Sequence, residues 1–188
     1  MIKERLELRH AGLQDIHALA DVAGKIFEDS YKGKMPGEDL QAYIASAFSA
    51  DQLRAEWGDK RNLFILAVYD GQLAGYAKIT IGASPEPDSV QNPMTDPALD
   101  VAQVRHLAID RMYVLREYQS MKIGASLMRY CLHYAESHYF DIVWLAVWEQ
   151  NPLAVQFYRR WGFEIFGSRF FMRGKDRQTG LLMKKQLK

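Results

Sequence analysis

The fold depends most on one stretch, residues 107–128, which reads LAIDRMYVLREYQSMKIGASLM. Its first part, up to Arg116, is rich in apolar, β-branched and aromatic residues, as a strand is. From about Ile123 the apolar residues recur at helical spacing instead. The stretch therefore predicts a strand that leads through a short polar turn into a helix.

The polar turn has the residue types of an anion-binding site. The first backbone N–H groups of a helix have no partner within it, and the helix dipole places partial positive charge there. Gly124 lets a ligand approach the backbone, Lys122 adds a cation, and Gln119 and Ser120 offer side-chain hydrogen bonds. An ordinary capped helix without a ligand is the alternative that the turn alone leaves open.

A second stretch, residues 151–163, reads NPLAVQFYRRWGF and predicts a short, self-contained helix. Asn151 is a good N-cap, and Pro152 suits the first helical position. Gly162 lies where a glycine commonly ends a helix. One helix and one strand separate the two stretches along the chain.

Together the two stretches resemble the Gcn5-related N-acetyltransferases (GNAT). The phosphate turn of that family, Gln/Arg-x-x-Gly-x-Gly/Ala, is similar to Gln119-x-x-Lys122-x-Gly124, in which lysine replaces the first glycine. A second family motif, Asn-x-x-Ala-x-x-Phe-Tyr-x-x-x-Gly-Phe, is matched in full. Its matching residues are Asn151, Ala154, Phe157, Tyr158, Gly162 and Phe163. The resemblance implies an α/β (α+β) fold, with a mixed, mostly antiparallel sheet of about six to seven strands that is splayed at its centre and flanked by helices.

Composition limits the class of protein and its partners. The chain has 188 residues, 48% of them hydrophobic and 25% charged, which predicts one globular domain over residues 1–188. A net charge of +1 gives no reason to expect nucleic acid or an anionic membrane as a partner. The single Cys131 excludes an internal disulfide framework, and no apolar run is long enough to cross a bilayer. We therefore expect a cytoplasmic protein, and a homodimer is compatible with its sequence.

Periodicity predicts the elements before the central stretch. A strand over residues 4–9 precedes an amphipathic helix that runs from Asp15 past Phe27 and is broken by glycine and proline at 33–37. Further helices begin near Asp39 and over residues 50–57. Two strands, residues 63–69 and 73–81, flank Asp70-Gly71, which is typical of a tight β-hairpin turn.

The later elements include a long proline-rich segment. Residues 83–100 contain four prolines and predict an exposed loop, either a lid over a substrate entrance or an insertion. A helix is expected over residues 125–138 and a buried strand over 142–147. Residues 163–171 and 180–187 predict a closing hairpin, with residues 173–178 as its turn.

The resemblance implies acetyl-coenzyme A as co-substrate, with no metal. In such proteins the backbone of Met112, Tyr113 and Val114 would pair with the pantetheine arm as an added half-strand. The pyrophosphate would be ringed by Ser120, Met121, Lys122, Ile123, Gly124 and Ala125. The remaining residues of the implied coenzyme site are Gln119, Asn151, Phe157 and Tyr158. The chain offers no competing metal motif, since His133 and His138 are too far apart to share a helical face.

The implied reaction is direct attack of an amine on the thioester in a ternary complex. Tyr158 is the expected general acid for the leaving thiolate, with a core tyrosine as the alternative. Asp110 is the nearest carboxylate on the central strand and is the expected base, and His106 is a substitute with a suitable pKa. A solvated aspartate at a strand end and a surface histidine are the alternatives for those two.

The acceptor is less defined than the donor. Phe27, Tyr31 and Tyr43 belong either to an acceptor pocket or to the core. The sequence of residues 113–119 is similar to that of the PaiA-like branch, which implies a polyamine acceptor. A small amine or a peptide amine is also compatible with the family. A cationic acceptor would need carboxylates near the aromatic helices, where residues 28, 29, 38 and 39 are all acidic. The alternative function is a non-catalytic, acyl-CoA-binding regulatory protein.

Overall fold

The computed structural model describes residues 5–84, 89–90, 104–173 and 176–187, which contain five α-helices and eight β-strands. The helices are α1 (Ile16–Tyr31), α2 (Gly37–Ala47), α3 (Ala50–Gly58), α4 (Ile123–Ser137) and α5 (Pro152–Arg160). The strands are β1 (Leu6–His10), β2 (Asn62–Tyr69), β3 (Gln72–Ile81), β4 (Ser89–Val90), β5 (His106–Val114), β6 (Ile142–Trp148), β7 (Glu164–Arg173) and β8 (Asp176–Gln186).

The strands form one sheet in the order β1-β2-β3-β5-β6-β8-β7-β4. The β5–β6 pairing is parallel, whereas β1–β2, β6–β8, β7–β8 and β4–β7 are antiparallel. The parallel register covers four pairs, from His106/Ile142 to Ile109/Leu145, and both strands continue beyond the last pair. This confirms the mixed, mostly antiparallel sheet, to which the two-residue β4 adds an eighth strand.

The described residues divide into two compact units. One contains the residues up to Ile79 together with Arg111–Cys131. Its core lies between α1–α3 and the inner faces of β2 and β3, and includes Leu19, Leu53 and Phe64, each at most 2% exposed. The hairpin between β2 and β3 turns at Asp70 and Gly71, whose φ angles of +48° and +81° are those of a type I′ turn, as the sequence predicts.

The other unit contains Thr80–Asp110 and the residues from Leu132 onward, where they are described. A buried cluster of Ala108, Trp144, Phe166 and Leu182 forms part of its core. The Trp144 indole N–H donates to the backbone oxygen of Ala83 at 2.6 Å, which satisfies the polar atom of a buried ring. The division into two units does not test the prediction of a single domain over residues 1–188, which stays a prediction.

Several predicted boundaries differ from the structure. β5 ends at Val114, and a 3₁₀ turn, Arg116–Tyr118, precedes α4. The closing hairpin is tighter than predicted, because Asp176 and the residues that follow it lie in β8 rather than in the turn. Residues 89–90 of the predicted loop form β4 and pair with β7, while residues 85–88 and 91–100 lie outside the described residues. Among the described helices, none combines the length and hydropathy that a bilayer span requires.

Candidate functional site

Successive backbone hydrogen bonds stabilise the turn between β5 and α4. The Gln119 N–H donates to the Arg116 carbonyl at 3.2 Å, and the Met121 N–H donates to the Tyr118 carbonyl at 3.3 Å. The first bond of the helix runs from the Ser126 N–H to the Lys122 carbonyl, at 3.0 Å. The amides of residues 123–125 therefore lie in the first helical turn, where no intrahelical acceptor is available to them.

Two residues of this turn have left-handed backbones although neither is glycine. The φ angle is +78° at Ser120 and +60° at Lys122. Such a conformation costs a residue with a side chain about 1 kcal/mol or more, since Cβ approaches the following carbonyl oxygen. Lys122 thus occupies the position of the first family glycine and retains a conformation that favours glycine.

The end of β5 is held from two sides within the same unit. The Gln119 side-chain amide donates from Nε2 to the Val114 carbonyl oxygen at 3.3 Å. The Leu115 N–H donates to the Ala74 carbonyl at 2.9 Å, and a Cβ added to Gly75 would overlap the Tyr113 backbone. β3 therefore packs against the Tyr113–Val114 backbone at a separation that only glycine permits.

Helix α5 begins as the sequence predicts. Asn151 is its N-cap, and its side-chain oxygen accepts a hydrogen bond from the Ala154 N–H at 3.2 Å. Pro152 follows as the first helical residue, and Gly162 comes after the helix with a φ angle of +83°. The side-chain oxygen of Asn151 is thus engaged in capping the helix.

Tyr158 lies on α5 and is half-buried. Its ring makes edge contacts with the rings of Phe157 and Phe163, with centroids 5.4 Å and 6.0 Å away. All three belong to the second motif, so the motif supplies the aromatic packing that orients the phenol. The packing leaves part of the Tyr158 side chain open to solvent.

The two candidate bases differ in environment. Asp110 is exposed, lies within β5 rather than at a strand end, and accepts a hydrogen bond from the Thr80 hydroxyl. His106 is only 7% exposed, so the alternative of a surface histidine is wrong. Its Nδ1 lies 3.2 Å from the Ser84 hydroxyl oxygen, and its Nε2 has no hydrogen-bond partner among the described residues. Burial lowers the pKa of His106 and Asp141 offsets part of that shift, so the imidazole is neutral at pH 7.

The early aromatic residues form one cluster in their unit. The Phe27 ring stacks on Tyr43 at 4.6 Å and lies 4.3 Å from Tyr31 and 5.3 Å from Phe48, measured between centroids. Phe27 and Phe48 are buried, whereas Tyr43 is 41% exposed. Phe27 is therefore a core residue, and Tyr31 and Tyr43 lie at the edge of the cluster with part of their surface accessible.

The candidate residues chosen from the sequence omit a cluster of buried charges beside these rings. Glu56 on α3 accepts hydrogen bonds from Arg111 Nη1 and Nη2 at 2.8 Å and 3.0 Å. Lys78 Nζ lies 3.1 Å from the same carboxylate. The Arg111 guanidinium carbon is 5.2 Å from the centre of the Phe48 ring. Lys78 and Arg111 lie among mostly apolar residues of β3 and β5, and these two cations are the signal that would have indicated the cluster.

Neither metal nor thiol chemistry has support in the described residues. They contain no group of three or more histidine, cysteine, aspartate or glutamate side chains placed to hold a metal ion. Burial raises the pKa of the Cys131 thiol to about 12, so it stays protonated and unreactive.

Comparison with known proteins connects these features. The family model described as the acetyltransferase (GNAT) family matches residues 25–163. An uncharacterized N-acetyltransferase from the pepI 3′ region of Lactobacillus delbrueckii subsp. lactis is 28% identical over 174 residues, 93% of each chain. An uncharacterized N-acetyltransferase of Mycobacterium bovis is 25% identical over 175 residues, 93% of this chain and 99% of that protein. The crystal structure of the PaiA N-acetyltransferase from Thermoplasma acidophilum in complex with coenzyme A has a TM-score of 0.71 and 20% identity, over 96% of this chain and 98% of that one.

Proposed function

Because the chain belongs to the acetyltransferase (GNAT) family, we propose that it transfers the acetyl group of acetyl-CoA to a primary amine. The observation that carries the proposal is the turn before α4, where the amides of residues 123–125 begin a helix behind two left-handed residues. This turn lies within the segment that the family model matches. A helix N-terminus of this kind favours a phosphate group through its N–H groups and its dipole.

In the proposed coenzyme site, residues 120–125 surround the pyrophosphate, and Lys122 adds a positive charge. The backbone of Met112, Tyr113 and Val114 pairs with the pantetheine arm. Two observations support this role: the three residues follow the last parallel pair of β5, and β3 packs tightly against Tyr113 and Val114. Asn151, Phe157 and Tyr158, on α5 and at its cap, are the remaining residues proposed to bind the coenzyme.

Tyr158 is the proposed general acid. As the amine attacks the thioester carbonyl, the C–S bond breaks and negative charge develops on sulfur. A phenol held by two neighbouring rings can donate a proton to that sulfur without reorganising. The motif match and the partial exposure of the ring support the assignment.

Asp110 is the proposed base: directly or through water it takes a proton from the ammonium group of the acceptor, and the neutral amine that results attacks the thioester. Its exposure supports this role, since an incoming amine has to reach the carboxylate. His106 is the alternative base, because its lowered pKa keeps it able to accept a proton. Mutation distinguishes Asp110 from His106 as the base, because loss of the true base lowers kcat/KM on the order of a hundredfold or more. We expect that loss in Asp110→Asn and a much smaller one in His106→Asn.

The proposed acceptor is a small amine, a polyamine or a peptide amine, with Tyr31 and Tyr43 at the edge of its pocket and Phe27 behind them. The resemblance of residues 113–119 to the PaiA-like branch makes a polyamine the first member of the panel to test. We further propose a cytoplasmic location and a homodimer, which fractionation and light scattering would test.

Release of free thiol from acetyl-CoA, measured with a panel of amines and alongside calorimetric binding of coenzyme A, tests the proposal. Amine-dependent release is the expected result, and Gly124→Glu should abolish binding by repulsion and bulk at the phosphate turn. Gly58→Glu is the matched control, since a side chain there meets no neighbouring atom within 4 Å. Tight binding without release by any amine would favour a non-catalytic acyl-CoA-binding regulator, and absence of binding would overturn the coenzyme site.

A further inference from the structure

The segment that joins β5 to α4 lies between two buried residues, Leu115 and Ile123, which are 6% and 1% exposed. None of the seven residues between them is buried: one is half-buried and six are exposed. Burial of side chains therefore contributes little to the conformation of this segment. Ser120 and Lys122 within it have left-handed backbones, and such residues keep that conformation only where surrounding contacts hold it.

Helix α1 contacts this segment through an ion pair. Lys25 Nζ donates to Glu117 Oε1 at 2.7 Å, although 92 positions separate the two residues along the chain. The two side chains are 54% and 48% exposed. The hydrogen bond raises the pKa of Lys25 and lowers that of Glu117, so both groups stay charged at neutral pH. The pair thus joins α1 to the 3₁₀ turn that precedes the coenzyme residues.

Strand β2 contacts the same 3₁₀ turn from its last residue, Tyr69. The ring of Tyr69 lies 5.9 Å from the ring of Tyr118, measured between centroids, with an angle of 59° between the two planes. Tyr69 is half-buried and also forms a side-chain hydrogen bond with Arg5, which fixes its ring from the other side. Glu117 and Tyr118 are neighbours, so two separate elements hold adjacent residues of one turn.

These two anchored residues lead directly into the proposed coenzyme residues. The carbonyl of Tyr118 accepts a hydrogen bond from the Met121 N–H at 3.3 Å. A displacement of Tyr118 would therefore move Met121 and the left-handed residues on either side of it. A binding segment that is already ordered loses less conformational entropy when its ligand arrives, and its affinity is higher for that reason.

We propose that Lys25 and Tyr69 are positioning residues of the coenzyme site, which hold the phosphate turn in its binding conformation through Glu117 and Tyr118. The inference rests on the proposed transferase function and adds two residues that lie outside both family motifs. Lys25 and Tyr69 act through their partners and need no contact with the coenzyme.

Two variants distinguish positioning from simple attraction of the phosphates. Lys25→Met removes a positive charge and Glu117→Gln removes a negative charge, so attraction alone predicts opposite changes in affinity for coenzyme A. Positioning predicts that both variants bind more weakly by calorimetry, each by roughly twofold to fivefold. The double variant should bind no more weakly than the worse single variant, because both lose the same contact.

Matched variants control for the loss of charge and for the loss of the ring. Lys32→Met, at an exposed lysine that follows α1, should leave the affinity unchanged, and Lys25→Arg should largely retain it. Tyr69→Leu removes the ring contact and should weaken binding several-fold, whereas Tyr69→Phe keeps the ring and should bind as the wild type does. The weakened variants should show a higher KM for acetyl-CoA with an unchanged kcat, as loss of uniform binding does.

Amide hydrogen exchange in the coenzyme-free protein tests positioning without a ligand. The N–H groups of Gln119 and Met121 donate within the turn, so they should exchange several-fold faster in Lys25→Met and in Tyr69→Leu than in the wild type. The N–H of Val155, which donates to Asn151 in α5, should exchange at the wild-type rate and shows that the variant is folded.

Unchanged coenzyme affinity in Lys25→Met and Tyr69→Leu would overturn the proposal, as would tighter binding by Glu117→Gln. These outcomes differ from a failure of the proposed function. A wild-type protein that does not bind coenzyme A would overturn the coenzyme site and this role with it. Wild-type binding that is weakened in the variants, without thiol release by any amine, would support the positioning role and reject the transferase.

Discussion

The Gln119 side chain reaches back across its turn and donates from Nε2 to the Val114 carbonyl oxygen, 3.3 Å away. One hydrogen bond thus joins the proposed pyrophosphate turn to the proposed pantetheine strand. Removing it in Gln119→Ala should let the turn open and weaken coenzyme A binding about fivefold, the worth of roughly 1 kcal/mol. Calorimetry would measure this, with Gln41→Ala on the exposed side of α2 as control. An unchanged affinity would show that the turn keeps its shape without the bond.

Lys122 should affect stability and coenzyme binding in opposite directions. Its φ angle of +60° favours glycine, so Lys122→Gly should raise the free energy of unfolding by up to about 1 kcal/mol. The same change removes a cation beside the proposed phosphates and should weaken coenzyme A binding several-fold. Chemical denaturation and calorimetry on one protein preparation would test both effects.

Lys122→Asn is the matched variant for this prediction. Asparagine tolerates the left-handed region and has no charge, so it should weaken binding while changing stability less than glycine does. Tighter coenzyme binding in Lys122→Gly would mean that backbone freedom, and not the lysine charge, limits affinity at this turn.

Tyr158→Phe should lower kcat and leave the dissociation constant of acetyl-CoA nearly unchanged. The ring contacts with Phe157 and Phe163 do not involve the hydroxyl, so the phenylalanine ring should keep the same position. Stopped-flow thiol release with saturating amine would measure the rate, and Tyr139→Phe, which alters an exposed tyrosine, would serve as the control. Turnover equal to that of the wild type would remove Tyr158 from the mechanism.

Features set by neighbouring residues could be predicted from the sequence. Asp70-Gly71 predicts its hairpin because both positions need left-handed backbones, and the φ angles agree. Asn151 predicts its cap because the side chain bonds an amide three residues ahead. The family motifs predict the overall fold, because they identify the phosphate turn and α5 and so define the elements that lie between them.

Features that join distant segments could not be predicted in this way. Glu56 and Arg111 are 55 positions apart, and no local rule relates a residue of α3 to one in the middle of β5. The burial of His106 depends on Ser84 and its neighbours, which are equally remote from any periodicity along β5. The pairing of β4 with β7 could not be predicted either, because two residues are too few to show a strand pattern.

Glu56→Gln should destabilise the protein by roughly 3 kcal/mol, because it removes the carboxylate that accepts two hydrogen bonds from the largely buried Arg111 and lies 3.1 Å from Lys78. Burial alone would raise the pKa of Glu56, but the hydrogen bonds and charge of Arg111 outweigh it and lower that pKa. The carboxylate thus stabilises the fold above its unfolded pKa of 4.5, and this contribution is lost as the pH falls through the lower folded value.

Urea denaturation at neutral pH would measure the cost of Glu56→Gln, and Glu38→Gln on exposed α2 is the control. The double variant Glu56→Gln/Arg111→Met should recover part of the loss, since it also removes the guanidinium that loses its carboxylate partner. A loss below about 1 kcal/mol in the single variant would show that the two cations do not depend on Glu56 for their stabilisation.

His106 should make the free energy of unfolding depend on pH in a second range, which lies closer to neutral pH than that of Glu56. Burial lowers its folded pKa below 6.5, so the unfolded chain binds more protons than the folded chain once the pH drops below 6.5. Its contribution to stability is therefore complete above pH 6.5 and declines as the pH falls toward the folded pKa, while Asp141 limits the size of the effect. Unfolding free energies between pH 7 and pH 5 should fall less in His106→Asn than in the wild type, and His133→Asn, at an exposed position of α4, should follow the wild type. Parallel curves for the wild type and His106→Asn would mean that water reaches the imidazole and that its Nε2 is solvated.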